Sequence, residues 1–208
     1  MIKRFFGLFI LAGLLMMPVA AKANSLGAWE FTSDSQNSGT NFTFGVVFTP
    51  TVNVYVDYLG YYDPTGGMNT SHAVGLYDSS GDLLATTTVT SGSTLSGHFY
   101  YNSVTPVELL AGNTYVLDGF SSTDPYGAIT QGNVIADGFV VNAPITILGD
   151  NDAHGTGLVD TGTTYTTQTN YFGADMGGYD ATPEPSTLLL LGSGLAGLAG
   201  LIKRKRMA

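Results

Sequence analysis

Asp150-Asn151-Asp152-Ala153-His154-Gly155 sets two carboxylates two residues apart and a glycine at the sixth position, which is how a calcium-binding loop begins. The match is partial. His154 stands where such a loop places its fifth-position oxygen ligand, Thr161 takes the twelfth position in place of glutamate, and Asp160 falls one residue early. Asp150, Asp152 and Asp160 therefore make a candidate calcium set, and calcium is the sole candidate cofactor. Aspartate at turns has a metal-free role as well, accepting nearby backbone N–H groups, as at Asp63-Pro64 and Asp78-Ser79-Ser80-Gly81-Asp82.

Catalytic chemistry finds little support. His72, His98 and His154 are too widely spaced for a metal site, and no G-x-S-x-G motif offers a serine nucleophile. Glu30 and Glu108 could act as a glycosidase pair only if the fold held them about 5 to 9.5 Å apart. A non-catalytic protein is expected. Sugar binding needs aromatic faces with polar groups beside them, and Trp29 and the pairs Tyr61-Tyr62 and Tyr100-Tyr101 are candidates. Neighbouring residues on a strand point to opposite faces, so one member of each pair turns to the core.

The elements that would position these residues are strands. Alternating or apolar runs occur at 40–49, 52–59, 73–77, 83–89, 98–104, 107–110, 114–120, 133–141 and 145–148, with no convincing amphipathic helix. In 52–59 the residues Val52, Val54, Val56 and Tyr58 share one face. Turn residues divide the runs, as at Asp63-Pro64-Thr65-Gly66-Gly67 and Ala111-Gly112-Asn113. An all-β fold follows, an antiparallel β-sandwich of jelly-roll-like type over residues 24–180. Residues 149–168 are poor in aliphatic side chains and read as a long loop, hairpin or stalk, and 175–182 as a linker.

Charge narrows the partners. All seven Lys and Arg lie outside Asn24–Thr182, a segment of 159 residues that carries fifteen carboxylates. Such a surface repels nucleic acid, which is excluded as a partner. The chain has no cysteine, so the domain must be held by its core alone.

Both ends have a different character. Lys3 and Arg4 precede the apolar run Phe5–Val19 and the small-x-small pattern Ala21-Lys22-Ala23, which together predict a signal peptide over 1–23, cleaved after Ala23. At the other end Pro183-Glu184-Pro185 is followed by uncharged residues 186–202 and then by Lys203, Arg204, Lys205 and Arg206. Seventeen residues of helix cover roughly 25 Å, just short of a roughly 30 Å hydrocarbon core, so a single transmembrane helix is expected with its cations on the cytoplasmic side.

This order of motif, helix and cations resembles the PEP-CTERM sorting signal of exported bacterial proteins. The resemblance implies that 181–208 is a sorting tail and that an exosortase, a membrane-embedded cysteine-type transpeptidase, is the partner that reads and cuts it. It also implies a Gram-negative host that makes exopolysaccharide or biofilm. The expected course is an inner-membrane-anchored precursor, membrane-inserted at least transiently, that ends at the cell surface or in the extracellular matrix. A permanent C-terminal anchor is the competing reading, and a polysaccharide-binding module is the alternative for the domain. The segments "VGLYDSSG" and "LLAGNTYVL" further resemble a family of extracellular β-sandwich domains of unknown function found upstream of such tails. Relatives carry Asn-Phe where this chain has Asp175-Met176, which leaves the packing of the last strand open.

Overall fold

The computed structural model describes residues 26–30, 35–37, 41–63, 67–124, 126–130, 139–166, 169–178 and 194. Among them every element with paired neighbours is a strand, and every pairing is antiparallel. A five-stranded sheet runs β12 (Ile145–His154), β3 (Phe42–Pro50), β9 (Tyr115–Ser121), β5 (His72–Asp78) and β6 (Leu83–Val89). A four-stranded sheet runs β14 (Ala174–Gly177), β4 (Val54–Tyr62), β8 (Phe99–Leu109) and β7 (Thr94–Ser96).

These two sheets form a sandwich. Val46, Phe48, Val74, Leu76 and Leu117 of the first face Val54, Val56, Leu59, Tyr61, Phe99 and Leu109 of the second in one buried cluster. The chain crosses between layers at β3 to β4, β4 to β5, β6 to β7 and β8 to β9. A smaller sheet of β13 (Thr169–Phe172), β10 (Tyr126–Thr130) and β2 (Ser35–Asn37) packs Tyr126 and Tyr171 on Phe44, with ring centroids 4.1 and 5.2 Å away. A two-stranded ribbon pairs β1 (Trp29–Glu30) with β11 (Val140–Val141).

Three elements depart from the sequence expectation. In β4 the pairing with β8 shifts between Val56 and Tyr58. There one residue of β4, Asp57, stands against three of β8, and beyond it Leu59 and Tyr61 are fully buried in the core while Tyr58 is only partly buried against it. The runs 98–104 and 107–110 are one strand, β8, because Pro106 falls within that same irregularity, where no ladder N–H is required. Residues 175–182 do not begin as a linker. Asp175 and Met176 lie on β14 and are fully buried, so the strand closes the edge of the four-stranded sheet.

The expected signal peptide with Ala21 and Ala23, and the tail with its helix over 186–202, lie outside the described residues, Gly194 apart. Among the described residues no helix is long and apolar enough to cross a membrane.

Candidate functional site

Alternation along β3, β9 and β5 sends Val46, Leu117 and Val74 to the core and Gly45, Asp118 and Gly75 to the opposite face. Cross-strand register sets those three in one row, which Asn151 of β12 extends. The glycines leave a trough beside the carboxyl, and residues 155–166 return across it as a strap. A Cβ at Gly45 would collide with the Thr161 side chain and with Asp118, and one at Gly75 would come within 3.0 Å of Leu158.

The row grips Thr161 from several sides. Its hydroxyl donates to Asp118 Oδ1 at 2.8 Å, its N–H donates to Asp118 Oδ2 at 3.2 Å, and its carbonyl accepts from Asn151 Nδ2. Farther along the strap, Val159 N donates to the Thr43 hydroxyl at 3.3 Å, and Gly155 N donates to the Asn41 carbonyl at 2.9 Å. Beside the row lies an apolar group of Val47, Tyr77 and Val116 with Leu148. Burial pushes the Asp118 carboxyl up to about 7; the Thr161 donors oppose the rise and the nearby Asp160 charge adds to it.

The aspartates of the candidate calcium set occupy separate environments. Asp150 is buried on β12, where its oxygens accept from the Thr166 hydroxyl and from Tyr171 N, each at 3.2 Å. Burial raises its pKa to about 6, with the Asp152 charge adding slightly. Asp152 is exposed, and exposed Asp160 accepts from Gly162 N at 2.9 Å in a local turn. Among the described residues no group of three or more His, Asp or Glu gathers in a way that could hold a metal. The turn role is plain at Asp78, whose Oδ1 accepts from Ser80 N at 2.8 Å and from Asp82 N at 3.1 Å.

The rings expected to stack on sugars are core residues. Trp29, Tyr61 and Tyr62 have no exposed surface and therefore no ring face to offer a glycan. Trp29 is drawn inside because Ala28 N donates to both Met176 O and Asp175 Oδ1, which stitches the segment before β1 to β14. Tyr101 O–H donates to the other oxygen of Asp175 at 2.6 Å. Burial holds the Asp175 pKa well above the ordinary range despite these donors. Tyr61 lies flat on His72, with ring centroids 3.8 Å apart and planes 3° from parallel.

His72 is itself fully buried, with Nδ1 3.0 Å from the Phe120 carbonyl and Nε2 3.0 Å from Asp124 Oδ2. Both oxygens accept, so the two contacts are hydrogen bonds together only when the ring is imidazolium. Burial acts to raise the Asp124 pKa, but donors from His72, Thr70 and Asn69 outweigh it and hold the carboxyl down to about 2. The other carboxylate–histidine pair joins Glu30 Oε1 to His98 Nδ1 at 2.8 Å, partly open to solvent. Glu108 lies at the far end of β8, beside Asn53, which places it roughly 30 Å from His98 along the strand. The glycosidase pair is not assembled.

Asp118 and Thr161 escaped the sequence reading, since forty-three residues separate them. The available signal was an aspartate in the middle of an apolar strand, where an ionised side chain has no ready place.

Comparison with known families supplies the remainder. Residues 30–173 match the model described as Domain of unknown function (DUF4082), and residues 181–205 match the PEP-CTERM protein-sorting motif. No curated protein matches the chain. The first match spans nearly all the strands of the sandwich, and the second begins just beyond β14. The chain belongs to the DUF4082 family, as an exported member whose PEP-CTERM tail makes it an exosortase substrate.

Proposed function

We propose that the mature domain is a non-catalytic component of the cell surface or extracellular matrix, in the exopolysaccharide or biofilm setting of a Gram-negative bacterium. The signal peptide delivers it, helix 186–202 holds it as a precursor, and an exosortase cuts it free near Pro183–Pro185. The observation that carries this reading is the sorting motif at 181–205, placed directly after a closed sandwich. A segment 24–182 with no Lys or Arg suits release, because it has no cation with which to hold an anionic membrane surface. Lys203, Arg204, Lys205 and Arg206 keep the helix oriented until the cut. The repeated crossing of the chain between the two layers supports the jelly-roll-like winding expected for such a domain.

Replacing Pro183, Glu184 and Pro185 together by alanine tests the sorting step. The altered protein is expected to accumulate in the membrane fraction while the natural chain leaves it. Equal release of both would overturn the proposal.

A polysaccharide-binding role would fall to rings that reach solvent, and Tyr165 is 42% exposed. Its test is co-sedimentation with the host's own exopolysaccharide, lost in Tyr165→Ala; retention by a folded Tyr165→Ala chain, or no sedimentation of either, would end that reading.

A further inference from the structure

The strap over residues 155–166 lies on the five-stranded sheet through polar contacts, and at its middle Thr161 is held by both oxygens of Asp118. What surrounds that carboxyl decides when the hold can last. Its cross-strand neighbour on β3 is Gly45, and Asn151 of β12 stands beyond Gly45 in the same row; neither titrates. From β5 it meets Tyr77, and from the strap Asp160, the residue next to Thr161. At the strap's other end Thr166 is held by Asp150, which faces exposed Asp152 and the backbone of Tyr171. The segment 24–182 has no Lys or Arg, and His72 is committed to Asp124 inside the sandwich.

Ionisation of Asp118 would strengthen both hydrogen bonds from Thr161, yet it would leave a charge in a buried trough with no cation and a second carboxylate beside it. In such a site the loss of hydration exceeds what two donors return.

We propose that the strap is a pH-operated cover, closed while Asp118 is protonated and released as the carboxyl ionises, and that release opens the Gly45–Asp118–Gly75 row and the apolar group of Val47, Tyr77 and Val116. The sign follows from the two states. With the strap open, Asp118 regains an ordinary carboxyl pKa of about 3.9, so closure takes up a proton and weakens with rising pH. The closed carboxyl titrates at about 7, which sets the upper end of the window.

Hydrogen exchange at the Val159 and Thr161 amides of the full chain, corrected for intrinsic exchange, tests the proposal against Asp118→Asn. The asparagine amide can accept from Thr161 N and donate to the Thr161 hydroxyl, so it holds the strap without a charge. Protection in the natural chain is expected to fall roughly 100-fold between about pH 5 and about pH 9, and to stay level in Asp118→Asn. Level protection in the natural chain, or an equal fall in the variant, would overturn the proposal. If Asp118→Asn does not fold, Asp160→Asn serves. Removing that neighbouring charge is expected to shrink the fall and to end it at a lower pH, and a fall unchanged from the natural chain would likewise overturn the proposal.

Discussion

Asp118 and Asp124 are both buried carboxyls, and their neighbours drive them in opposite directions. Asp124 has a histidine and the Asn69–Thr70 donors around it and titrates at about 2, whereas Asp118, with Thr161 donors and Asp160 nearby, titrates at about 7. Stability therefore passes through a maximum. A lowered pKa contributes stability above about 3.9 that is lost as pH falls toward 2, and a raised pKa removes stability as pH climbs from about 4 to the folded value. Asp150, at about 6, acts in the same sense as Asp118. The melting temperature is expected to peak near pH 4 and to decline toward pH 7 by an amount equivalent to roughly 3–6 kcal/mol. A melting temperature that rises steadily from pH 4 to 7 would contradict the burial of these groups. Replacing His72 by leucine should cost about 3–5 kcal/mol, because Asp124 loses its buried partner; urea unfolding at about pH 6 measures it. None of this was legible from residue type alone. Asp at a turn and Asp in a trough look alike in sequence, and Thr161 and His72 reach their carboxyls from forty-three and fifty-two residues away.

At the scale of elements, the strand pattern was largely readable because it depends on local alternation. The runs at 40–49, 73–77, 83–89 and 114–120 correspond closely to β3, β5, β6 and β9. Faces were harder to assign. Across the irregularity in β4 full burial passes from Val54 and Val56 to Leu59 and Tyr61, and only pairing with β8 reveals it. The last strand was missed because Ala174–Gly177 is short and holds one apolar side chain larger than alanine, Met176. Its place is secured by long-range hydrogen bonds from Ala28 and Tyr101 to Asp175. The strap could be read only as a loop poor in aliphatic residues, since the glycines that receive it lie on β3 and β5. Gly45→Ala tests this fit. The added methyl would displace Thr161 and Asp118, costing roughly 1–3 kcal/mol, and the Thr161 amide should lose protection before the core strands do. A melting curve matching that of the natural chain would show the trough to be roomier than described.

The whole molecule combines a sandwich held without disulfides and a tail whose job is address. The tail was the most legible part of the chain, because its information lies in the linear order of motif, apolar run and cations and needs no tertiary contact. The domain's family was legible through two strand-turn segments, while its aromatic residues misled. Trp29, Tyr61 and Tyr62 suggested a glycan platform, but closing a sandwich of this size uses its largest rings as filling. Sorting and fold meet at one edge, where β14 ends six residues before Pro183 and is stitched to the segment around Ala28. Export of this folded domain and its separation from the tail by an exosortase stand or fall together. Intact-mass measurement of the exported protein tests both most directly. The exported chain is expected to begin near Asn24 and to end close to Pro183–Pro185, and an exported form that retains Leu188–Arg206 would contradict processing by an exosortase.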